Sequence, residues 1–357
     1  MTGAPILSVV IPSYNSAAWL PSTLEALAVA VKEADVEVEV IVVDDGSDDG
    51  SAEVVARIAE GFPGDLSVVT QGNSGRFLAR WAGIERARAE RVLLLDSRVI
   101  LRSDALAHVL ASSAADPSPA GWNAHVHTDD ESPLVGRFWE VPTFIFWGDY
   151  LRRPRPYDLT PETFDSAPKG TGAFLARRSV LMDAFRQAWP EGDAKLISDD
   201  TKILRWIAEH GGIRLDPGFA AIYRPRTSVG GFVRHSRDRG TLFVDSYAGT
   251  SPLRSAVLVL LVVAPLLVVA ALVWLLAVGA WPVVLIVLVA IVVLLLAPVI
   301  PAALNRCPSR GLLSYVCYLP VFLLPFWSGL ARGVVLHRRA FTDRTRTQRP
   351  SAGKANS

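Results

Sequence analysis

The sequence predicts an α/β domain built on a largely parallel sheet, followed by apolar helices that cross a membrane. Two observations carry this. Through residues 1 to about 115, short apolar runs alternate with longer amphipathic segments, the pattern of βαβ units. Between Arg254 and Arg306 lie 51 residues without a charge, enough for two spans of about 20 residues each.

The expected strands are "ILSVVIP", "VEVIVVD", "LSVVTQ" and "RVLLLD". Between the first two, Leu20, Leu24, Leu27 and Val31 recur at helical spacing and predict a helix with one face on the sheet; Val55, Ile58 and Phe62 do the same after the second. From about Ala115 to Ala167 the pattern is irregular, Pro-rich and aromatic, consistent with core packing or with a surface for an acceptor or membrane. Helical spacing returns at Arg177 to Trp189 and at Asp200 to His210.

The spans are expected at about 255–278 and 282–304, joined by the turn "GAWP", Gly279 to Pro282. A further uncharged interval, Gly311 to Ala331, contains Pro320, Pro325 and Ser314, so a third segment at about 312–335 either spans or lies in the interface. The expected division is a domain over 1–245, a membrane domain over 253–335, and a basic, disordered tail over 336–357.

Composition agrees. Half of the residues are hydrophobic and the mean hydropathy is +0.30, too apolar for an ordinary soluble chain. From Ser246 onward there are ten Lys/Arg and one acid, Asp343, so this part carries +9 and the part before it −8. The positive-inside rule places "NRCPSRG" and the basic tail in the cytoplasm. An even number of crossings then puts the N-terminal domain there too, in an integral protein of the cell membrane. "MTGAPILSVVIPSYN" does not read as a signal peptide. Two cysteines, Cys307 and Cys317, imply neither a disulfide framework nor a zinc site.

Polar residues end three strands, where ligands of open α/β sheets bind: Ser13-Tyr14-Asn15, Asp44-Asp45-Gly46-Ser47 and Asp96-Ser97-Arg98. Alone, "VVDDGSDDGS" is equally a turn and helix cap. Joined to "SVVIPSYNS", it resembles the family-2 inverting glycosyltransferases of GT-A fold, whose Rossmann-like nucleotide-sugar-binding sheet is mostly parallel. "GNSGRFLARWAGIERARAERVLLLDS", "KGTGAFLARRSVL" and "ISDDTKILRWI" continue the resemblance, which covers residues 5 to about 245.

The resemblance implies that Pro12, Tyr14 and Asp45 line the pocket for the nucleotide base, with Asp44 supporting the loop, and that Arg80 and the backbone at Gly75 approach the diphosphate. It implies a catalytic base from "SDDT", with Asp199 matching the family's Glu and Asp200 the base. A carboxylate takes the acceptor hydroxyl proton in such transfer; the local alternative is a helix cap from Ser198 or Asp199. Lys169 and Gly172 fall on the acceptor-side segment. The family's Asp-x-Asp motif holds Mg2+ or Mn2+ on the diphosphate. Here it is Asp96-Ser97-Arg98, so Asp96 is the one remaining metal candidate. Arg98 either points away, pairs with the diphosphate, or binds an acidic group.

Arg224, Arg226, Arg234, His235, Arg237 and Arg239 precede the first span. They form either a solvated basic face near anionic lipids or a site for a lipid phosphate; Arg234, His235 and Arg237 are the acceptor or loop candidates. The implied partners are a nucleotide-sugar donor, a lipid-linked or envelope-glycan acceptor and membrane lipids, with no nucleic acid. The implied activity is a membrane-anchored glycosyltransferase or, within that class, a polyprenyl-phosphate sugar synthase. A catalytically inactive nucleotide-binding scaffold is the reading from another class.

Overall fold

The computed structural model describes residues 5–190, 192–198 and 200–342. Nine strands form one sheet: β1 (Leu7–Ser13), β2 (Val38–Asp44), β3 (Asp65–Thr70), β4 (Arg91–Leu95), β5 (Val99–Leu101), β6 (Gly121–Thr128), β7 (Tyr157–Leu159), β8 (Ala173–Arg177) and β9 (Ile213–Tyr223). Their order is β3-β2-β1-β4-β8-β6-β9-β5, with β7 also on β9. The expected parallel half is present, β1 pairing in parallel with β2 and β4, and β2 with β3. Beyond it the sheet is mixed, since β8 runs antiparallel to both β4 and β6.

β1 and β2 are buried along their whole length, because helices cover both faces and the strands can be apolar at every position. On one face the helix Leu20–Ala34 buries Leu20, Leu24, Leu27 and Val31 against Val9, Val40 and Leu93. On the other, the helix Arg76–Arg86 lies so close to β1 that a Cβ on Gly83 would stand 2.3 Å from Val10 Cγ1.

The segment expected to be irregular holds β6, β7 and a helix, Glu140–Arg152. Its proline, Pro142, stands in the first turn, where a missing N–H costs nothing. The aromatic residues around it had obscured the period.

Among the described residues three helices are long and apolar enough to cross a membrane: Pro252–Ala277, Trp281–Leu304 and Ser309–Leu336. They differ in what they touch. The first two form a hairpin whose residues between about 259 and 294 are largely exposed and apolar. The third is attached to the sheet domain near both ends. At its start Arg310 donates to the carbonyls of Asp130 (2.7 Å) and Ser132 (3.1 Å), and the Ser314 hydroxyl donates to the carbonyl of Leu134. Near its end it lies against the helix Val229–Tyr247 through glycines: a Cβ on Gly329 would meet the Arg237 carbonyl at 2.0 Å, and one on Gly333 would meet Val244 at 2.8 Å. At 1.5 Å per residue, Arg310 and Gly333 are about 35 Å apart along that helix.

Candidate active site

The loops after β1, β2 and β3 are tied together by side-chain to backbone hydrogen bonds. Asn15, at φ 48°, accepts from the Asp48 N–H (3.1 Å), and its own N–H donates to the Ser47 hydroxyl (2.9 Å). The Asp44 carboxylate accepts from the Ser47 hydroxyl. Asp45 is 4% exposed and accepts from Gln71 Nε2 (2.7 Å) and from the N–H groups of Ser74 and Gly75 (2.8 Å each). A carboxylate has room for about four such bonds, so about one lone-pair site remains for a ligand. Gly46, at φ 74°, is required here, since a Cβ would stand 2.8 Å from the Asn73 nitrogen. Pro12 is buried within β1 opposite Val43, whereas Tyr14 is 52% exposed at the rim.

At the end of β4, Arg80 Nη2 bonds Asp96 Oδ1 at 2.6 Å, with Arg80 only 1% exposed. The Asp96 N–H donates to the Gly172 carbonyl (2.8 Å), and a Cβ on Gly172 would lie 3.5 Å from Asp96 Oδ2. Arg80 therefore answers the Asp96 charge from within the fold. Arg98 turns the other way, with its guanidinium 4.3 Å over the Trp19 ring. Burial, then the neighbouring Arg226 and Arg224, lower its pKa to about 10, Tyr223 and Asp96 opposing, so it stays a cation at neutral pH.

Asp200 is itself the cap of the helix Thr201–Glu209. Its Oδ1 accepts from the Thr201 N–H, from the Ser198 hydroxyl (2.8 Å) and from the Thr201 hydroxyl (3.0 Å). No described residue bonds its second oxygen. Asp199 lies outside the described residues. The loop is held from the membrane side: Asp245 accepts from the Ser198 N–H (2.9 Å) and from Lys202 Nζ (2.6 Å).

A cleft of about 370 Å3 opens between β6, the helix Glu140–Arg152 and the helix Val229–Tyr247, reaching Pro308 at the foot of the third apolar helix. Its lining includes Trp139, Phe144, Arg226, His235 and Arg239. Burial, and then the cations Arg239, Arg226, Arg76 and Arg98, hold His235 well below its usual pKa of 6.5, so it is a neutral ring among positive charges. Arg234 and Arg237 are exposed on the same helix and do not line the cleft. Nor does Lys169, which packs 4.3 Å over Phe164 and 3.9 Å from Asp165. Burial lowers its pKa to about 8, Asp165 opposing.

No local pattern signals Trp19, Asp245 or the bonding role of Arg224, which donates to the Trp19 carbonyl (2.9 Å) and the Thr23 hydroxyl (2.6 Å). These contacts join residues about 200 and about 47 positions apart.

Residues 8–183 match the family model described as Glycosyl transferase family 2. The undecaprenyl-phosphate 4-deoxy-4-formamido-L-arabinose transferase of Aeromonas hydrophila subsp. hydrophila is 39% identical over 98 residues, 27% of this chain and 30% of that protein. Its namesake from Pseudomonas fluorescens is 38% identical over 92 residues, 26% of this chain and 27% of that protein. The match thus spans less than a third of these curated relatives. The mannosyltransferase PcManGT from Pyrobaculum calidifontis, solved with GDP-Man and Mn2+, aligns over 89% of this chain and 87% of that one, at 20% identity and a TM-score of 0.52, a likeness of fold.

Proposed function

Since the N-terminal sheet domain belongs to the family-2 glycosyltransferases of GT-A fold, we propose that this protein moves a sugar, with inversion, from a nucleotide-sugar donor to the phosphate of a polyprenyl lipid. The donor base lies against Tyr14 and Asp45, and the diphosphate near Gly75 and Arg98. The lipid phosphate enters the cleft at His235. One of its oxygens attacks the anomeric carbon from the side opposite the diphosphate, the new C–O bond forms as the old one breaks, and the nucleoside diphosphate leaves.

The single observation that carries this reading is the cleft. The cleft ends at the foot of an apolar helix, and of its guanidiniums Arg137 is paired with Glu140 (2.8 Å), whereas Arg226 and Arg239 make no salt bridge to a described carboxylate. Among the described residues Arg239 touches only the neutral His235 ring (3.4 Å) and the Trp139 face, and cations beside a membrane that lack a salt-bridged carboxylate suit an anionic headgroup. The names of the curated relatives agree. A lipid phosphate is already ionised at neutral pH, so no base has to deprotonate it. An acceptor hydroxyl would need one, and the second oxygen of Asp200 is the candidate.

Attachment of the helix Ser309–Leu336 to the domain near both ends favours two crossings. A helix through a hydrocarbon core about 30 Å thick would carry one end away from a domain on one side. It lies instead along the cytoplasmic interface, with the hairpin turn at Gly279 outside. With Cys307 and Cys317 replaced, a cysteine introduced at Leu336 should resist an impermeant reagent in intact cells, while one at Gly279 is labelled. Labelling at Leu336 would make the third helix a span.

The activity is tested by supplying the solubilised protein with labelled nucleotide sugars and either a polyprenyl phosphate or the matching free alcohol. Product only with the phosphate is expected. Product with the alcohol or a glycolipid hydroxyl, and none with the phosphate, would overturn the reading.

A further inference from the structure

Resting on the reading that the donor is a nucleotide sugar, we propose that Arg98 is the built-in cation for the donor diphosphate, in place of a divalent metal held at the end of β4.

The residues at that strand end do not fit a metal. Mg2+ and its relatives seek several oxygen ligands, carboxylates above all. Among the described residues at that strand end the one carboxylate is Asp96, which already gives its Oδ1 to Arg80 at 2.6 Å. That pair is close to neutral before any ligand arrives. The second carboxylate of the Asp-x-Asp pattern is replaced by Arg98. Among the described residues no three His, Cys, Asp or Glu side chains gather as a metal site. A dication would also enter a field already made positive by Arg98 and Arg226.

Arg98, by contrast, is prepared to receive an anion. Its guanidinium carbon lies 4.3 Å over the Trp19 ring, a contact made through the face of the ring that does not use the N–H donors. Its Nη1 is buried without a hydrogen-bond partner, an uncompensated donor that a phosphate oxygen would satisfy. Arg224 shares the Trp19 ring at 5.2 Å, but its Nη2 is spent on the Trp19 carbonyl and Thr23, so it braces the stack. Trp19 follows β1, on the same rim as Tyr14. Arg98 is among the cations that hold His235 neutral, so its charge reaches the acceptor cleft as well. A planar fork pairs two phosphate oxygens at once.

The test measures binding of UDP, GDP and dTDP, and of their nucleosides, to the full solubilised chain by calorimetry in chelator and in Mn2+. The matching diphosphate should bind with an affinity that changes less than about threefold between the two conditions. Arg98→Ala should weaken the diphosphate by about tenfold to a hundredfold and leave the nucleoside unchanged, which also reports an intact fold. Arg98→Lys should recover part of the loss. Arg98→Asp, which recreates the two-carboxylate pattern, should make diphosphate binding depend on Mn2+. Loss of wild-type diphosphate binding in chelator, or unchanged binding by Arg98→Ala, would overturn the proposal. Failure of every nucleotide to bind in either condition would overturn the donor reading itself, and this inference with it.

Discussion

The donor half and the acceptor half of the molecule use charge in opposite ways. Around β1, β2 and β4 every candidate carboxylate is answered from within: Asp44 by Ser47, Asp45 by three donors, Asp96 by Arg80. Around the cleft the guanidiniums of Arg226 and Arg239 stand beside a neutral His235 with no carboxylate pairing them among the described residues. Buried carboxylates with full partners build a rigid shape. Cations left without partners cost stability unless a ligand supplies the anion. The first half is thus built to hold its geometry, and the second to wait for a charge.

Removing a partner should therefore hurt most in the donor half. Asp45→Ala leaves the N–H groups of Ser74 and Gly75 and the Gln71 amide without an acceptor, and each unmade buried hydrogen bond costs about 1–3 kcal/mol. A loss of about 3 kcal/mol or more is expected in chemical denaturation, together with loss of nucleotide binding. An unchanged midpoint would remove the contrast.

In the acceptor half the expected signs differ. Arg226→Ala combined with Arg239→Ala should lower transfer to a lipid phosphate about a hundredfold, at about one charge-assisted hydrogen bond each, and leave nucleotide binding and stability nearly as they were. A stability loss as large as that of Asp45→Ala would mean that these cations have structural partners.

A smaller effect follows from His235. The unfolded chain takes up a proton near pH 6.5, whereas burial and then Arg239, Arg226, Arg76 and Arg98 keep the folded ring neutral to lower pH. The folded pKa is depressed, so stability is constant above about 6.5 and falls as pH drops below it, by at most about 1.4 kcal/mol per pH unit. His235→Gln should flatten that slope in denaturation measured between pH 7 and pH 5.5. An unaltered slope would assign it to other groups.

The two halves also differed in how far the sequence revealed them. β2 was readable to the residue, Val38–Asp44, because a strand buried on both faces is largely apolar, here broken only by the buried Glu39 and the terminal Asp44. The departure from Asp-x-Asp at Arg98 was equally plain. The partner of Asp96 was not, since Arg80 stands 16 residues earlier on a helix and meets it only when that helix packs on the sheet. The acceptor half resisted reading for the same reason. Its cleft joins residues between His125 and Pro308, and its cluster of basic residues divides by helical face, His235 and Arg239 inward, Arg234 and Arg237 outward. The cap at Asp200 was expected one or two residues earlier. The bonds from Ser198 and Thr201 converge on the residue directly before the helix.

The claim that the acceptor arrives as an ionised phosphate is tested most directly by Asp200→Asn. Asparagine caps a helix about as well as aspartate, so the loop should keep its shape while the spare oxygen loses its ability to take a proton. The account predicts transfer to a polyprenyl phosphate within about tenfold of the unaltered protein, since no proton has to be removed from the nucleophile. A fall of about a hundredfold or more, with nucleotide binding intact, would show that the reaction needs a proton acceptor at Asp200 and would contradict attack by an already ionised phosphate.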